Sequence, residues 1–277
     1  MDASLHRQRG RQTIPTRVFR PDVHAGLAAR PPRVSPTPPG VRVILLDIEG
    51  TTTPIAFVHT RLFPYARTHL DQYLSAHFAD GVVQDAVSRL AEERRLEREA
   101  GAPSWRDVSP ADLRASASAY ALWLMDRDRK SPGLKRLQGL IWEEGYQASE
   151  LTGEVFDDVP GAIARWREQR LTVAIYSSGS ELAQRRLFES TPAGDLTPLI
   201  TGFFDTAVGP KMQPDSYRHI AASLGVPPTA MLFVSDVTAE LAAARDAGCQ
   251  TRLCIRPGNA PQPDAGQFTQ IQSFGDL

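Results

Sequence analysis

Two carboxylates one residue apart, Asp47 and Glu49, stand directly after the apolar run Val43-Ile44-Leu45-Leu46 and before Gly50-Thr51-Thr52-Thr53-Pro54. Like charges held this close repel, so a bound cation or a raised pKa must accompany them. Three further polar groups recur along the chain: Ser177-Ser178, Lys211, and Asp236 with Glu240. Singly, each has a plain reading. Acids after strands cap helices or form turns, Ser-Ser-Gly is ordinary loop composition, a lone lysine is solvated, and acids at a helix start complement its dipole. Together they fit phosphoryl transfer, in which catalysis is mainly positioning and charge neutralisation. A carboxylate can attack phosphorus and form an acyl phosphate. A few hard oxygen ligands suit Mg²⁺, which keeps waters and shares the substrate phosphate. A lysine and a serine hydroxyl would hold the remaining phosphate oxygens.

These groups can meet only if strands bring them together. Val43 to Leu46 reads as a strand buried on both faces, stopped by Gly50 and Pro54. Leu171 to Tyr176 and Met231 to Val234 are further strands, running into Ser177-Ser178 and Ser235-Asp236, and Thr251 to Ile255 is another. Helices opened by Pro160, covering about 181–190, running from Pro214 to Leu224 with Gly225 behind it, and capped by Thr238 alternate with them. Repeated strand–helix units with buried parallel strands predict an α/β fold with a doubly wound sheet, which collects all strand carboxyl ends on one edge. Residues 55–150 break the alternation. Phe63, Ala66, Leu70, Leu74 and Phe78 form one helical stripe, and Val82, Val83, Ala86, Val87 and Leu90 a second. The charged run Glu92-Glu93-Arg94-Arg95 reads as a solvated face. Ser109-Pro110 and Ser131-Pro132 each place a capping serine before a proline suited to the first helical position. Four helices without a strand predict a small all-helical insertion.

The chain has 277 residues, a formal net charge of −1 and 23% charged residues, which excludes a general polyanion binder and points to no nucleic-acid partner. Residues 1–40 are different. Arg7, Arg9, Arg11, Arg17, Arg20, Arg30 and Arg33 face only Asp2 and Asp22, and prolines cluster there. Without apolar periodicity this leader is expected to be disordered. It lacks the apolar core of a secretory signal and is read as a plain extension, although its composition overlaps that of organelle transit peptides. The absence of any apolar run of about 18 residues predicts no membrane-spanning helix. Cys249 and Cys254 lack zinc-site spacing and are expected as buried free thiols in a reducing cytosol, so a cytoplasmic location is expected.

At Asp47-Ile48-Glu49-Gly50-Thr51-Thr52, Ser177-Ser178-Gly179-Ser180, Lys211 and Asp236-Val237-Thr238-Ala239-Glu240, in that order, the chain resembles the haloacid dehalogenase superfamily of aspartyl-phosphate phosphatases. The superfamily usually has Asp in place of Glu49. That glutamate, with Thr53-Pro54-Ile55-Ala56-Phe57-Val58, Leu62-Phe63-Pro64-Tyr65, Ile175-Tyr176 and Arg256-Pro257-Gly258-Asn259-Ala260, is similar to the enolase-phosphatase E1 branch, the acireductone synthases of methionine salvage. The resemblance runs from about residue 41 onward. It implies a Rossmannoid core over 41–60 and 150–277 and a helical cap over 61–149. It implies enolisation and dephosphorylation of 5-methylthio-2,3-dioxopentyl phosphate, a phosphorylated diketone, by a monomer with one Mg²⁺ per subunit. It implies that Asp47, Glu49 and Asp236 hold the metal, with an Asp47 oxygen free as nucleophile and Glu49 as acid and base. Ser178 and Lys211, with Ser177 adjacent, would bind phosphate, and Glu240 would orient the metal site. Arg127, Lys130, Lys135 and Arg136 are the cap's candidates for the substrate by charge, against a plainer reading as solvated surface. Two other readings share parts of this pattern. A superfamily phosphatase with another small phosphorylated substrate shares all four motifs. A phosphorylation-switched receiver shares acid, hydroxyl and lysine, but there the lysine comes last, whereas Lys211 precedes Asp236. No glycine-rich loop follows a strand to support a nucleotide-binding module.

Overall fold

The structure, a computed structural model, describes residues 37–277. The expected leader lies outside the described residues as far as 36. Residues 37–40, counted with it, instead make an anchored turn: the Val41 N–H donates to the Pro38 carbonyl (3.3 Å) and Gln250 Nε2 to that of Pro39 (3.2 Å).

Six parallel strands form one sheet: β1 (Val43–Leu46), β2 (Thr172–Tyr176), β3 (Gly202–Phe204), β4 (Met231–Ser235), β5 (Gln250–Cys254) and β6 (Gln270–Ile271). Their spatial order is β3-β2-β1-β4-β5-β6. β1 is central, with Leu46 opposite Ile175 of β2 and Val234 of β4. Its four residues have no exposed surface, as an apolar run without alternation requires. β3 and β6 were not assigned from sequence, because segments of three and two residues carry no periodicity.

Between β1 and β2 lies a helical stretch that begins at Ile55: α1 (Ile55–Phe57), a π-helical turn (Val58–Leu62), α2 (Phe63–His77), α3 (Gly81–Leu96), α4 (Pro110–Met125) and α5 (Pro132–Gln147). Ala66, Leu70 and Leu74 are buried as their spacing predicts, and so are Val83, Ala86, Val87 and Leu90; Val82 instead is exposed in the first turn of α3. Ser109 and Ser131 do cap α4 and α5, accepting from the N–H of Asp112 (3.1 Å) and Leu134 (3.0 Å). The charged run of α3 is solvated only in part. Glu93 accepts from the Gly133 N–H (2.9 Å), and Arg94 binds the carbonyls of Ala102 and Pro103.

The alternation of β1 side chains decides the layers. Ile44 and Leu46 pack with α6 (Asp158–Glu168) and α7 (Glu181–Glu189) through Val159, Ile163, Trp166, Leu187 and Phe188. Val43 and Leu45 pack with α8 (Pro214–Ser223) and α9 (Thr238–Asp246) through Tyr217, Ile220, Leu241 and Ala244. Pro160 sits inside the first turn of α6 rather than at its start, and Thr238 is the first residue of α9 rather than its cap, with its N–H and Oγ1 on Gln262 Oε1 (3.3 Å each). Asp47, Ser177, Asp205 and Asp236 each stand one residue past a strand, on one edge of the sheet. α5 lies on the loops of that edge. Lys135 reaches Asp205 (3.6 Å) and Thr206 (3.2 Å), Glu143 pairs with Arg186 (2.9 Å), and a Cβ on Gly139 would sit 3.1 Å from Ser180 Oγ.

Candidate active site

Asp47 is 3% exposed and its carboxylate is held at both oxygens. Oδ1 accepts from its neighbour's N–H, Ile48 (2.7 Å), and from Lys211 Nζ (2.6 Å); Oδ2 lies 3.1 Å from Ser235 Oγ. Ser235 Oγ is also 3.0 Å from Glu240 Oε2, and Lys211 Nζ is 2.7 Å from the same oxygen. Asp47, Lys211, Glu240 and Ser235 therefore close a ring. One hydroxyl carries one proton, so Ser235 can bond both acids at once only when one of the two acids is protonated and donates to it. Burial, then the Asp47 charge, pushes the Glu240 carboxyl up to about 7 against the pull of Lys211 and Ser235. Lys211 is held above the usual lysine range by Asp47 and Glu240, which outweigh its desolvation.

The loop that delivers Lys211 is fixed through three successive carbonyls. Tyr176 Oη donates to Gly209 (2.8 Å), Ser216 Oγ to Pro210 (2.8 Å) and Tyr217 Oη to Lys211 itself (2.7 Å). Burial raises both phenol pKa values, which keeps these hydroxyls protonated as donors. Sequence reasoning missed all three residues, and also Ser235, whose only signal was its place between a strand and Asp236.

After Ile48 the chain leaves the sheet and turns. The N–H groups of Thr51, Thr52 and Thr53 converge on the Ile48 carbonyl, and the Gly50 N–H donates to Thr53 (2.8 Å). Gly50 has φ +70°, and a Cβ there would collide with the Asp236 carboxyl and Asn259 Oδ1. The glycine thus permits both the left-handed turn and the close approach to Asp236. The turn aims Glu49 outward, where it is exposed and without a hydrogen-bonded partner among the described residues. Crowding by protein, then the Asp47 charge, raises its pKa, opposed by Lys211, Lys130 and His59. Of the cap's basic candidates, Lys130 is the one whose charge reaches Glu49 in this way. Arg127 pairs with Glu99 (2.9 Å) over the Trp123 ring, and Lys135 is tied to the core.

Asp236 is 7% exposed, accepts from no side chain among the described residues, and titrates at about 7 through burial and the charges of Asp47 and Glu240. The expected ligand set Asp47, Glu49 and Asp236 comprises two buried aspartates and one exposed glutamate. No cluster of three or more His, Cys, Asp or Glu side chains with metal-holding spacing occurs among the described residues. The Glu49 carbonyl, however, is the one main-chain carbonyl of residues 47–53 with no donor among the described residues. Two buried carboxylates, one with no counter-charge of its own, and a free carbonyl fit a hard dication that retains water. Of the two serines past β2, Ser177 is buried and accepts from the Gly179 N–H (3.1 Å), while Ser178 is half-buried with its hydroxyl uncommitted among the described residues. Neither makes a hydrogen bond to the Asp47 ring among the described residues. Gln184, also missed, holds their loop by donating to the carbonyls of Gly179 (3.0 Å) and Phe204 (2.8 Å).

Comparison with known proteins matches residues 41–248 to the family of haloacid dehalogenase-like hydrolases, which generally use Mg²⁺. The chain is 48% identical to the enolase-phosphatase E1 of Synechococcus elongatus over 242 residues, 87% of this chain and 100% of that protein. It is 47% identical to the enolase-phosphatase E1 of Frankia alni over 240 residues, 86% of this chain and 96% of that protein. The solved structure of the UTR4 protein of Saccharomyces cerevisiae superposes with a TM-score of 0.68 at 34% identity, covering 86% of this chain and all of that one. With the central Asp47 ring, the outward Glu49 and identity of this degree along whole relatives, the chain belongs to the enolase-phosphatase E1 family of haloacid dehalogenase-like hydrolases.

Proposed function

We propose that this protein converts 5-methylthio-2,3-dioxopentyl phosphate, by enolisation and then dephosphorylation, to the acireductone 1,2-dihydroxy-5-(methylthio)pent-1-en-3-one and phosphate, as a step of methionine salvage. The observation that carries the reading is the division of labour between two acids two residues apart. Asp47 is buried and clamped at both oxygens, and Glu49 is exposed, uncommitted and raised in pKa. Asp47, Asp236 and the Glu49 carbonyl would hold one Mg²⁺, which when bound supplies Lewis-acid polarisation of the diketone and neutralises phosphoryl charge.

Asp47 is the nucleophile. Its carboxylate attacks phosphorus, the enol oxygen leaves with a proton from Glu49, and an aspartyl phosphate remains. Glu49, now ionised, takes a proton from the water that attacks phosphorus and breaks its bond to the Asp47 carboxylate, which restores both acids. A carboxyl held above the usual carboxylate range by its surroundings suits a group that must give and then take a proton. Lys211, already on Asp47 Oδ1, carries positive charge to the phosphoryl oxygens, and the free hydroxyl of Ser178, with Ser177 beside it, donates to them. Glu240 holds Lys211 and Ser235 in place rather than meeting substrate.

Residues 61–149 act as the cap over a core of 41–60 and 150–277, a division supported by the seating of α5 on the loops after β2 and β3. The exposed large apolar side chains Val82, Leu96, Val108, Met212 and Ile255 belong to separate segments, which supports a monomer. Among the described residues no helix is long and apolar enough to cross a membrane, and both cysteines are free and buried, which supports a cytoplasmic place.

The test is turnover of the diketone phosphate with Mg²⁺ under anaerobic conditions, following phosphate and the ultraviolet absorbance of enol and acireductone. Asp47→Asn should release no phosphate. Phosphate release by the wild type with no enol or acireductone absorbance would reduce the protein to a phosphatase of another small metabolite.

A further inference from the structure

We propose that Asn259, with Arg256 behind it, is a positioning residue that sets the place of Glu49 by clamping the turn that carries it. Asn259 Nδ2 donates to the Gly50 carbonyl (2.9 Å) and Arg256 Nε to that of Thr51 (3.2 Å), while the Phe156 N–H takes that of Thr52 (3.0 Å). Three successive carbonyls after Glu49 are thus gripped from outside the turn, and the Glu49 carbonyl just before them has no donor among the described residues.

The local sequence explains how the clamp is aimed. Pro257 and Gly258 (φ +91°) fill the centre of a turn closed by the Asn259 N–H on the Arg256 carbonyl (3.1 Å), the residue pattern of a type II turn. That turn folds Asn259 back over the end of β5, where its Nδ2 also meets the Cys254 carbonyl (3.3 Å). Arg256 is itself immobile, paired with Asp158 (2.9 Å) and lying over the rings of Phe156 and Phe274. Neither residue belongs to the four acid, serine and lysine groups, and both lie beyond residue 248, where the match to the general hydrolase family stops. Asn259 Oδ1 and the Asp236 carboxyl both crowd the Gly50 α-carbon, so the clamp also fixes how closely the Glu49 turn approaches Asp236.

The inference rests on the function proposed above only for the part that reads turnover. Asn259→Ala is the variant of choice, since Asn259 is half-buried, whereas removing Arg256 would strand Asp158 and unpack two rings. Hydrogen–deuterium exchange of the peptide covering Ile48 to Pro54 should speed up about tenfold or more, with the peptides of β1 and β4 unchanged. With the diketone phosphate, kcat should fall about tenfold or more, because small misplacements of an oriented group are costly. KM should stay within about twofold and the thermal midpoint close to that of the wild type. Unchanged exchange in the turn overturns the clamp. Unchanged kcat with faster exchange overturns its link to Glu49. A wild type that does not turn over the diketone phosphate sinks the function, and the exchange measurement then still decides the clamp.

Discussion

Lys211 is the residue on which the charges of the site balance. It faces Asp47 and Glu240 at 2.6 and 2.7 Å with a side chain only 10% exposed. Removing one partner from a buried ionic group leaves the others uncompensated. Lys211→Ala should therefore cost about 3–5 kcal/mol of stability in a denaturant titration as well as activity. Glu49 is the opposite case. It is exposed and unpartnered, so Glu49→Gln should leave the denaturation midpoint nearly unchanged while turnover falls by about 10²–10⁴. Loss of stability there would mean that Glu49 is structural. At Gly50 both quantities should drop together, because Gly50→Ala strains a left-handed backbone and drives a methyl into Asp236. A melt and a turnover assay on the same preparation would show it.

At the scale of elements, the helices between β1 and β2 meet the loops of the sheet edge through α5, and its polar ties, Lys135 to Asp205 and Glu143 to Arg186, are partly exposed. Such pairs contribute about 0.2–1 kcal/mol each. A Lys135→Ala/Arg186→Ala variant should thus melt close to the wild type but change kcat and KM together, as expected when closure of a lid is altered. Equal kinetics would remove these ties from any role in closure. The elements also show where sequence is informative. β1 announces itself by four apolar residues with no alternation, and the serine caps of α4 and α5 by Ser-Pro pairs. The π-helical turn at Val58–Leu62, which carries His59, has no such mark. Nor do Tyr176, Ser216 and Tyr217, because they hold Lys211 through carbonyls, and a carbonyl is the same in every residue. The outward direction of Glu49 was hidden for a related reason: strand alternation ceases at Ile48, and only the turn's hydrogen bonds decide where the next side chain goes.

For the whole molecule, the raised carboxyls make stability depend on pH. Asp236 and Glu240 titrate at about 7 in the folded chain and near 4 in the unfolded one. Below about pH 4 both are protonated in either state and neither affects stability. Between about 4 and 7 the unfolded chain gives up protons that the folded chain keeps, so stability falls as pH rises, and above 7 the full penalty is present. For Asp236 alone the penalty is on the order of 4 kcal/mol. Metal-free protein should therefore melt at lower temperature at pH 8 than at pH 5, with Mg²⁺ restoring most at the higher pH. A flat profile would show that the acids are already compensated. β6 on one side and β3 on the other complete the sheet, yet the edge that matters is assembled by residues very far apart in sequence. Asn259 and Gly50 are 209 residues apart, and Ser235 and Asp47 are 188. On a ribosome adding about 5–20 residues per second, the Glu49 turn waits roughly 10–40 seconds for its last brace. The nascent chain thus carries Asp47 and Glu49 long before it carries the parts that aim them, and the turn gains its last brace only when the segment after β5 has emerged.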